Sequence, residues 1–288
     1  MRETYGKCLA GMRVSDLAGK LIVIEGTDGA GRTSQINRLK PWLEDLGHAV
    51  LDTGMTRSVL AGEGIRRAKE GNNLGRVTQT LFYATDFVDR LENEIVPALR
   101  AGFIVLTDRY IYSLMARANV RGMDPGWVRS IFRIALKPDA IFYLRLGLDQ
   151  LIPRVVFSRG FDYWESGMDL FPGHDMYESF CNYQSALLAE FDRLSAEYRF
   201  ETVDAAQGEE EVFAQLKEGV LRVLDEKSHT IPPISPHRSS GANFTRQFQE
   251  AFISAFGNDR AASSEVFPPQ LAVQAKGANG NGNGAHHK

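Results

Sequence analysis

Residues 21–35 read LIVIEGTDGAGRTSQ, which places an apolar run directly before a glycine-rich turn, a basic residue and a hydroxyl. Gly26, Gly31 and Thr33 satisfy the spacing Gly-x-x-x-x-Gly-Lys-Ser/Thr of a phosphate-binding loop. Arg32 stands at the lysine position. Such a loop turns its backbone amide hydrogens towards phosphate oxygens, at the N-terminal end of the next helix. The stretch therefore predicts nucleotide binding, and a plain strand-to-helix connector is the alternative.

The segments that flank the loop occur in the order that such a loop requires. The run before it is apolar and β-branched, as in a buried strand. Residues 33–46 carry apolar side chains at helical spacing, namely Ile36, Leu39, Trp42, Leu43 and Leu46. We therefore expect strand, loop and helix in succession, with the Thr33 hydroxyl as a ligand of Mg²⁺.

The composition limits the class of protein. The chain has 288 residues, of which 43% are hydrophobic and 24% charged, with a formal net charge of −3. These values suit an enzyme-sized globular domain and give no reason to expect general nucleic-acid binding. Cys8 and Cys181 lie far apart and form no metal-binding spacing, which suits a reducing compartment. No apolar run approaches membrane-spanning length, so we expect a cytoplasmic protein without a membrane partner.

Five short apolar runs alternate with amphipathic stretches along the chain, at residues 21–25, 49–53, 103–107, 140–144 and 200–203. This alternation predicts an α/β fold with a central parallel sheet and helices on both faces. With the phosphate-binding loop, it indicates the three-layer P-loop NTPase fold. Ligands then bind at the carboxyl ends of the strands.

The composition also suggests three regions. We expect an N-terminal extension over residues 1–18 and the nucleotide-binding domain over residues 19–227. Residues 228–288 contain a proline- and serine-rich linker and a tail too poor in apolar residues to fold. Between these, Phe244, Phe248, Phe252 and Phe256 recur every four residues and predict a short amphipathic helix that packs on the domain or on a partner.

Two further groups of charged residues accompany the loop. Asp108 and Arg109 follow the third predicted strand, where a carboxylate can hold magnesium and a guanidinium can bind phosphate. A structural salt bridge is the alternative. Arg154 and Arg159 lie five residues apart before a glycine, and we expect a lid near residues 154–170 that closes over phosphates. A solvated helix face is the alternative for this pair.

Taken together, these motifs resemble the thymidylate kinases, a family of P-loop nucleoside monophosphate kinases, over roughly residues 19–224. The loop EGTDGAGRTSQ is similar to the family pattern EGxDGAGKTTQ. Thr56 and Arg57 resemble its threonine-arginine element, and the segment LFYATDF at residues 81–87 resembles its LLFAADR helix. VLTDRY at residues 105–110 is similar to VICDRY, and residues 138–144 resemble its PD-x-x-x-x-L strand.

The resemblance implies transfer of the γ-phosphoryl group of ATP to dTMP with Mg²⁺, in a homodimer. It implies that the donor phosphates are held by Gly26, Thr27, Asp28, Gly29, Ala30, Gly31, Arg32, Thr33 and Ser34. The catalytic residues implied are Arg32, Asp28, Asp108, Arg154 and Arg159, with Thr33 and Asp108 holding the metal. For the acceptor, Arg57 and Arg109 would bind the phosphate and Tyr83 would stack on thymine. Phe87, Tyr110 and Ser113 complete the substrate-binding residues that we expect.

The chain departs from the family pattern around the base and in the lid. Phe87 replaces an arginine that contacts the base, and Arg117 and Ala118 replace an aromatic residue and a glutamine. Tyr163 replaces a lid arginine, and we hypothesise that Arg32 supplies the missing charge from the loop. Three interpretations stay open: an active dTMP kinase, a kinase for another nucleoside monophosphate, and a regulatory nucleotide-binding protein that has lost transfer.

Overall fold

A parallel β-sheet with helices on both faces forms the centre of the protein in the computed structural model, which describes residues 3–71 and 74–225. Its strands are Lys20–Gly26 (β1), Val50–Gly54 (β2), Ile104–Asp108 (β3), Ala140–Arg145 (β4) and Glu201–Asp204 (β5). They lie in the order β2-β3-β1-β4-β5, and all neighbours are parallel. The linker, phenylalanine-bearing helix and tail predicted for residues 228–288 lie outside the described residues.

The helices alternate with the strands, as the sequence predicts. Their bounds are Arg32–Asp45 (α1), Gly62–Glu70 (α2), Arg76–Arg90 (α3), Val96–Arg100 (α4), Ile111–Val120 (α5), Pro125–Ile131 (α6), Leu148–Ser158 (α7), Met176–Tyr198 (α8) and Glu209–Asp225 (α9). A π-helical turn, Leu91–Ile95, joins α3 to α4 without a break. None of the helices within the described ranges is long and apolar enough to cross a membrane.

Strand β1 shows why the fold has three layers. Leu21, Ile22, Val23 and Ile24 are all fully buried. Leu21 and Val23 pack into the core on one face of the sheet, with residues of α3, α5 and α8. Ile22 and Ile24 pack into the core on the other face, with residues of α1, α7 and α9. Successive side chains of a strand point to opposite faces, so an apolar run is buried on both sides only when helices cover both. The predicted three-layer fold is confirmed.

The N-terminal segment packs on the domain. Thr4 forms an isolated antiparallel bridge with Leu136, and the Tyr5 backbone amide donates to the Ala135 carbonyl at 3.0 Å. The Tyr5 hydroxyl lies 2.6 Å from the hydroxyl of Tyr112 on α5. These contacts hold the start of the described chain against the layer of helices that contains α5.

Candidate active site

The loop between β1 and α1 has a backbone that favours glycine. Gly29 and Gly31 have φ angles of 91° and 92°, in the left-handed region that other residues seldom adopt. A Cβ atom on Gly29 would also lie 3.1 Å from side-chain atoms of both Leu151 and Val155 on α7. The absence of a side chain therefore permits both the turn of the loop and its close contact with α7.

Arg32, at the first position of α1, ties the loop to the neighbouring strand. Its side chain is only 7% exposed. One terminal nitrogen donates to the Gly26 carbonyl at 2.8 Å and also to the Thr27 carbonyl. Nε donates to Oδ1 of Asp108, the last residue of β3, at 2.7 Å. The planar guanidinium thus bonds the backbone of its own loop and a carboxylate at once, which a lysine ammonium cannot do with the same geometry.

Asp108 also accepts a hydrogen bond from the Thr33 hydroxyl, whose Oγ1 lies 2.9 Å from Oδ2. Burial raises the pKa of Asp108, but the charges of Arg32 and Arg109 outweigh it and the net shift is downward. The carboxylate is therefore ionised at neutral pH. A hydroxyl and a carboxylate oxygen are ligands that suit Mg²⁺, which is commonly bound by one or two protein groups together with phosphates. No group of three or more His, Cys, Asp or Glu side chains that could hold a metal ion occurs in residues 3–71 and 74–225.

Asp28, in the middle of the loop, stands among four arginines. Arg109 donates to its Oδ1, and Arg117 of α5 donates to its Oδ2 at 2.5 Å. Terminal nitrogens of Arg32 and Arg159 lie 3.9 Å from Oδ1. Burial raises the pKa of Asp28, whereas the surrounding guanidinium groups lower it strongly, so the net shift is far downward. The carboxylate is ionised, and the positive charge around it exceeds its own.

The position of Arg109 depends on the start of α5. Arg109 has a φ angle of 69°, unusual for a residue with a side chain, and its amide donates to the Ile24 carbonyl at 3.0 Å. The fully buried Glu25 accepts the Tyr110 amide at 2.9 Å and the Ser113 hydroxyl at 2.5 Å. Glu25 thereby satisfies amides in the first turn of α5, which would otherwise lack partners. The last residues of β1 thus fix the start of α5, the helix that follows Arg109 and carries Arg117 in its last turn.

The phosphate-binding loop, Asp108, Arg109 and Arg159 open onto one cleft of about 810 Å³ at the carboxyl ends of the strands. Its lining comes from the phosphate-binding loop, the end of β3, the end of α7 and the connection from β5 to α9. The residues are Asp28, Gly29, Ala30, Gly31, Arg32, Thr33, Ser34, Gln35, Asp108, Arg109, Arg154, Ser158, Arg159, Ala205, Gln207, Glu209 and Val212. The cleft therefore joins backbone amides at a helix N-terminus, three carboxylates and four guanidinium groups, which suits a polyphosphate bound with a cation.

A model of the thymidylate kinase family matches residues 24–216, which span β1 to α9 and all of this cleft. The chain belongs to the thymidylate kinase family. It is 36% identical over 190 residues to a probable thymidylate kinase 2 of Saccharolobus solfataricus, covering 65% of this chain and 89% of the relative. It is 35% identical to a probable thymidylate kinase of Thermococcus kodakarensis, over 46% of this chain and 70% of the relative. A thymidylate kinase of Brachyspira hyodysenteriae is 27% identical, over 50% and 72% respectively.

The structure brings most of the predicted donor-side residues together. Residues 28–34, Asp108, Arg154 and Arg159 all line the cleft. Gly26 and Thr27 do not line it, and both are buried in the first part of the loop, where they accept from Arg32. Arg154 lies on α7 and donates to the Ala205 carbonyl at 2.9 Å. Arg159 follows the end of α7 and pairs with Glu165.

The chain between α7 and α8, which includes part of the predicted lid, is packed down in this structure. Trp164 is 2% exposed, and its indole nitrogen donates to the Lys69 carbonyl at 2.9 Å. Arg121, directly after the last residue of α5, donates to the Trp164 carbonyl at 3.0 Å and to the Asp169 carboxylate at 3.0 Å. The segment is therefore tied to α2 and α5 at once.

The predicted acceptor-side residues are more dispersed. Tyr83 of α3 faces α5 across a small space that Arg117 also lines. Arg57 pairs with Asp52 at 2.9 Å, near the carboxyl end of β2. Phe87 has no exposed surface, and its ring packs 5.1 Å from the centroid of Tyr110.

The remaining two predicted acceptor residues are buried next to Glu25. Tyr110 is 1% exposed and donates from its amide to Glu25, and its hydroxyl donates to the Leu136 carbonyl at 3.2 Å. Ser113 is also 1% exposed and donates its hydroxyl to Glu25. In this structure both side chains position α5, and neither lines the cleft.

Sequence reasoning missed several residues that the fold places at the site. Glu25 stands next to the glycine of the motif, and nothing in the pattern showed that it would bond α5. Arg121, directly after the last residue of α5, lies four residues beyond Arg117, and this helical spacing was a usable signal for its position. Ala205 and Gln207 reach the cleft only because β5 lies beside β4, which a motif comparison cannot show.

Proposed function

We propose that the chain transfers the γ-phosphoryl group of ATP to dTMP, giving dTDP and ADP. The observation that carries the proposal is the convergence of the phosphate-binding loop, Asp108, Arg109 and Arg159 on one cleft. Phosphoryl transfer needs alignment and charge stabilisation rather than a covalent nucleophile, and this set of groups supplies both. Membership of the family and the names of the relatives, all thymidylate kinases, support dTMP as the acceptor. They give no support to another acceptor or to a purely regulatory role.

On the donor side, we assign the backbone amides of residues 28–34, which line the cleft, to the ATP phosphates. Thr33 and Asp108 would hold Mg²⁺, since their oxygens lie together at the cleft. When bound, Mg²⁺ neutralises charge on the phosphates and helps to orient them. Arg32 joins the loop to the end of β3, and we assign its guanidinium to stabilising the charge that develops during transfer.

We assign Arg154 and Arg159 to stabilising that charge from the α7 side of the cleft. The Arg159 side chain is 48% exposed, which leaves it room to turn towards a bound phosphate. Tyr163, where a lid arginine was expected, has its ring 5.2 Å from that of Trp164. Arg32 is a guanidinium inside the cleft already, which supports the hypothesis that the loop supplies the charge that the lid lacks.

On the acceptor side, we assign Arg109 to the dTMP phosphate, with Arg57 at the edge of the site. Arg109 projects from the end of β3 into the cleft and is bonded to Asp28. Asp28 would face the acceptor sugar, and its charge would hold Arg109 and Arg117 in place before substrate arrives. Tyr83 would stack on the base. Phe87, Tyr110 and Ser113 would act by shaping the wall behind the base, since all three are buried.

The assignment is tested by supplying purified full-length protein with Mg²⁺, ATP and one nucleoside monophosphate at a time, and by measuring ADP release. We expect dTMP to give the highest kcat/KM, above dUMP, dCMP, dGMP and AMP. ADP release without any acceptor is the background control. A better substrate among the other monophosphates would replace dTMP as the acceptor. No turnover, with a higher Tm in the presence of ATP, would support the regulatory interpretation.

We further propose that the protein is a homodimer that associates through α3. Val77 and Leu81 are one turn apart on this helix and are 51% and 45% exposed, a pattern that suits burial by a second copy. Light scattering of the parent and of a Leu81→Glu variant tests this, and a monomeric parent would contradict it.

We also propose that residues 19–227 form the catalytic domain and that the protein acts in the cytoplasm. A chain that ends at Lys227 should keep the kcat of the full chain.

A further inference from the structure

A small, narrow space lies between α3 and α5 beside Tyr83. Its volume is about 10 Å³, and its lining consists of Gln79, Thr80, Tyr83, Leu114, Arg117, Ala118 and Arg121. A space of this size holds about one water molecule. A nucleotide base can therefore enter beside Tyr83 only when one of the lining side chains moves.

Arg121 is not the side chain that moves. Its Nε donates to Asp169 at 3.0 Å, one terminal nitrogen donates to the Tyr183 hydroxyl at 2.6 Å, and the other donates to the Trp164 carbonyl at 3.0 Å. The side chain is 3% exposed. Releasing it would leave buried carbonyl and carboxylate oxygens without a donor, which is costly.

Arg117 is held much less firmly. In the part of the chain that the structure describes, its guanidinium makes one hydrogen bond, from a terminal nitrogen to Asp28 Oδ2 at 2.5 Å. Its side chain is 12% exposed. A guanidinium has five N–H donors, so most of those of Arg117 are available to a ligand. Arg117 can therefore turn towards a base beside Tyr83 while it keeps its contact with Asp28.

The other polar groups that line the space discriminate poorly between bases. The Gln79 amide can donate or accept, and a simple rotation exchanges the two. Thr80 already donates its hydroxyl to the Arg76 carbonyl at 2.9 Å. Arg117, in contrast, donates only. It favours a ring edge with a carbonyl oxygen and disfavours an amino group.

Resting on the proposed function, we propose that Arg117 determines which acceptor base is used, by donating hydrogen bonds to a carbonyl oxygen of a pyrimidine stacked on Tyr83. Thymine and uracil carry a carbonyl oxygen at position 4, where cytosine carries an amino group. The side chain thus selects dTMP and dUMP over dCMP. Arg117 makes no contact specific to the thymine methyl group in this arrangement. It therefore contributes little to any difference in kcat/KM between dTMP and dUMP.

The test compares kcat/KM for dTMP, dUMP and dCMP in the parent chain and in Arg117→Gln. In the parent we expect dTMP and dUMP to be preferred over dCMP. In Arg117→Gln the dTMP to dCMP ratio falls about tenfold or more, because the glutamine amide can serve either base. Arg117→Lys, which remains a pure donor, keeps the direction of the preference with a smaller ratio.

Two controls distinguish a loss of base recognition from a loss of surface charge or of the fold. Arg129→Gln, on α6, removes an exposed arginine paired with Glu197 and leaves the ratio unchanged. ATP binding and Tm of Arg117→Gln report whether the variant is folded. If it does not fold, the parent and Arg117→Lys still test the preference for a carbonyl base.

Equal losses of kcat/KM for dTMP and dCMP in Arg117→Gln would overturn the inference, because they would place Arg117 on the phosphate or sugar. A parent that does not prefer dTMP over dCMP would also overturn it. Failure of the proposed function would give a different result, because the parent would then turn over none of the three pyrimidine nucleotides.

Discussion

Arg32 Nε lies 2.7 Å from Asp108 Oδ1, so that a charge-assisted hydrogen bond joins the first residue of α1 to the last residue of β3. The same guanidinium donates to the Gly26 carbonyl at 2.8 Å. One side chain therefore sets the spacing between the phosphate-binding loop and the carboxylate that faces it. The arginine at the usual lysine position is thus a structural part of the loop as well as a charge within it.

Replacing Arg32 with lysine should lower kcat. A lysine ammonium can reach either the loop carbonyls or Asp108, but it lacks the planar fork that holds both. We expect kcat for dTMP to fall by about one order of magnitude, as is common when a group that aligns phosphates is displaced. Steady-state kinetics at saturating ATP and Mg²⁺ measure the change.

Arg38→Lys is the matched control for this substitution, since Arg38 lies on the same helix and pairs with Glu210 at 2.6 Å on the surface. Its kcat should equal that of the parent. A marked rise in kcat for Arg32→Lys would show that the arginine limits turnover, and the idea that it compensates for the lid would have to be abandoned.

Asp108→Asn should reduce kcat by about 10²-fold or more, because it removes a charge where a metal and phosphates meet. The amide keeps the shape of the side chain, but one of its two terminal groups can no longer accept from Arg32 or Thr33. The Mg²⁺ concentration for half-maximal rate should rise as well. Asp192→Asn, which breaks an exposed pair with Arg145, serves as the control. A parent-like Mg²⁺ dependence in Asp108→Asn would remove Asp108 from the metal site.

Gly219→Ala should destabilise the fold. A Cβ atom on Gly219 of α9 would lie 2.3 Å from Cε1 of the Phe142 ring on β4, in a fully packed core. Overpacking of this kind costs about 1–3 kcal/mol, and the better helix propensity of alanine offsets only part of it. Urea unfolding measures the free energy. Gly64→Ala, at an exposed position inside α2, is the control: its Cβ would meet the Phe82 ring at 3.8 Å, an ordinary van der Waals distance, and the variant should be at least as stable as the parent.

The contact between the N-terminal segment and the domain should weaken at high pH. Burial raises the pKa of the Tyr5 hydroxyl to about 12, whereas an unfolded tyrosine titrates near 10. Between these values the unfolded chain loses the proton and the folded chain keeps it, so stability falls as pH rises. The free energy of unfolding should therefore drop more in the parent than in Tyr5→Phe, by about 1–2 kcal/mol from pH 10 to 12. Parallel curves would mean that Tyr5 is exposed in solution.

Much of the fold follows from local sequence patterns. Each of the five predicted strands overlaps an observed strand within a residue or two at either end, because buried parallel strands are short apolar runs between polar helices. The helix expected at residues 33–46 is observed as Arg32–Asp45. The glycine spacing likewise predicted the loop, since its backbone conformation requires those residues.

The acceptor side was harder to predict, because its geometry depends on contacts between distant segments. Glu25 bonds Ser113, which lies 88 residues further along the chain, and Asp28 bonds Arg117 across 89 residues. A short sequence motif cannot show contacts between residues so far apart in the chain. The family pattern drew attention to Phe87, whereas the packing of α3 on α5 puts that ring in the core and leaves Arg117 beside Tyr83.

The surplus of arginines around Asp28 has a practical consequence for assays. Arg32, Arg109, Arg117 and Arg159 repel one another, and burial together with Arg32 lowers the pKa of Arg109. Any small oxyanion that enters this cluster relieves that repulsion, and binding to the folded state raises Tm by mass action. Inorganic phosphate and sulfate should therefore stabilise the protein without being substrates. Buffers free of both anions give the cleanest baseline for thermal-shift screens with nucleotides.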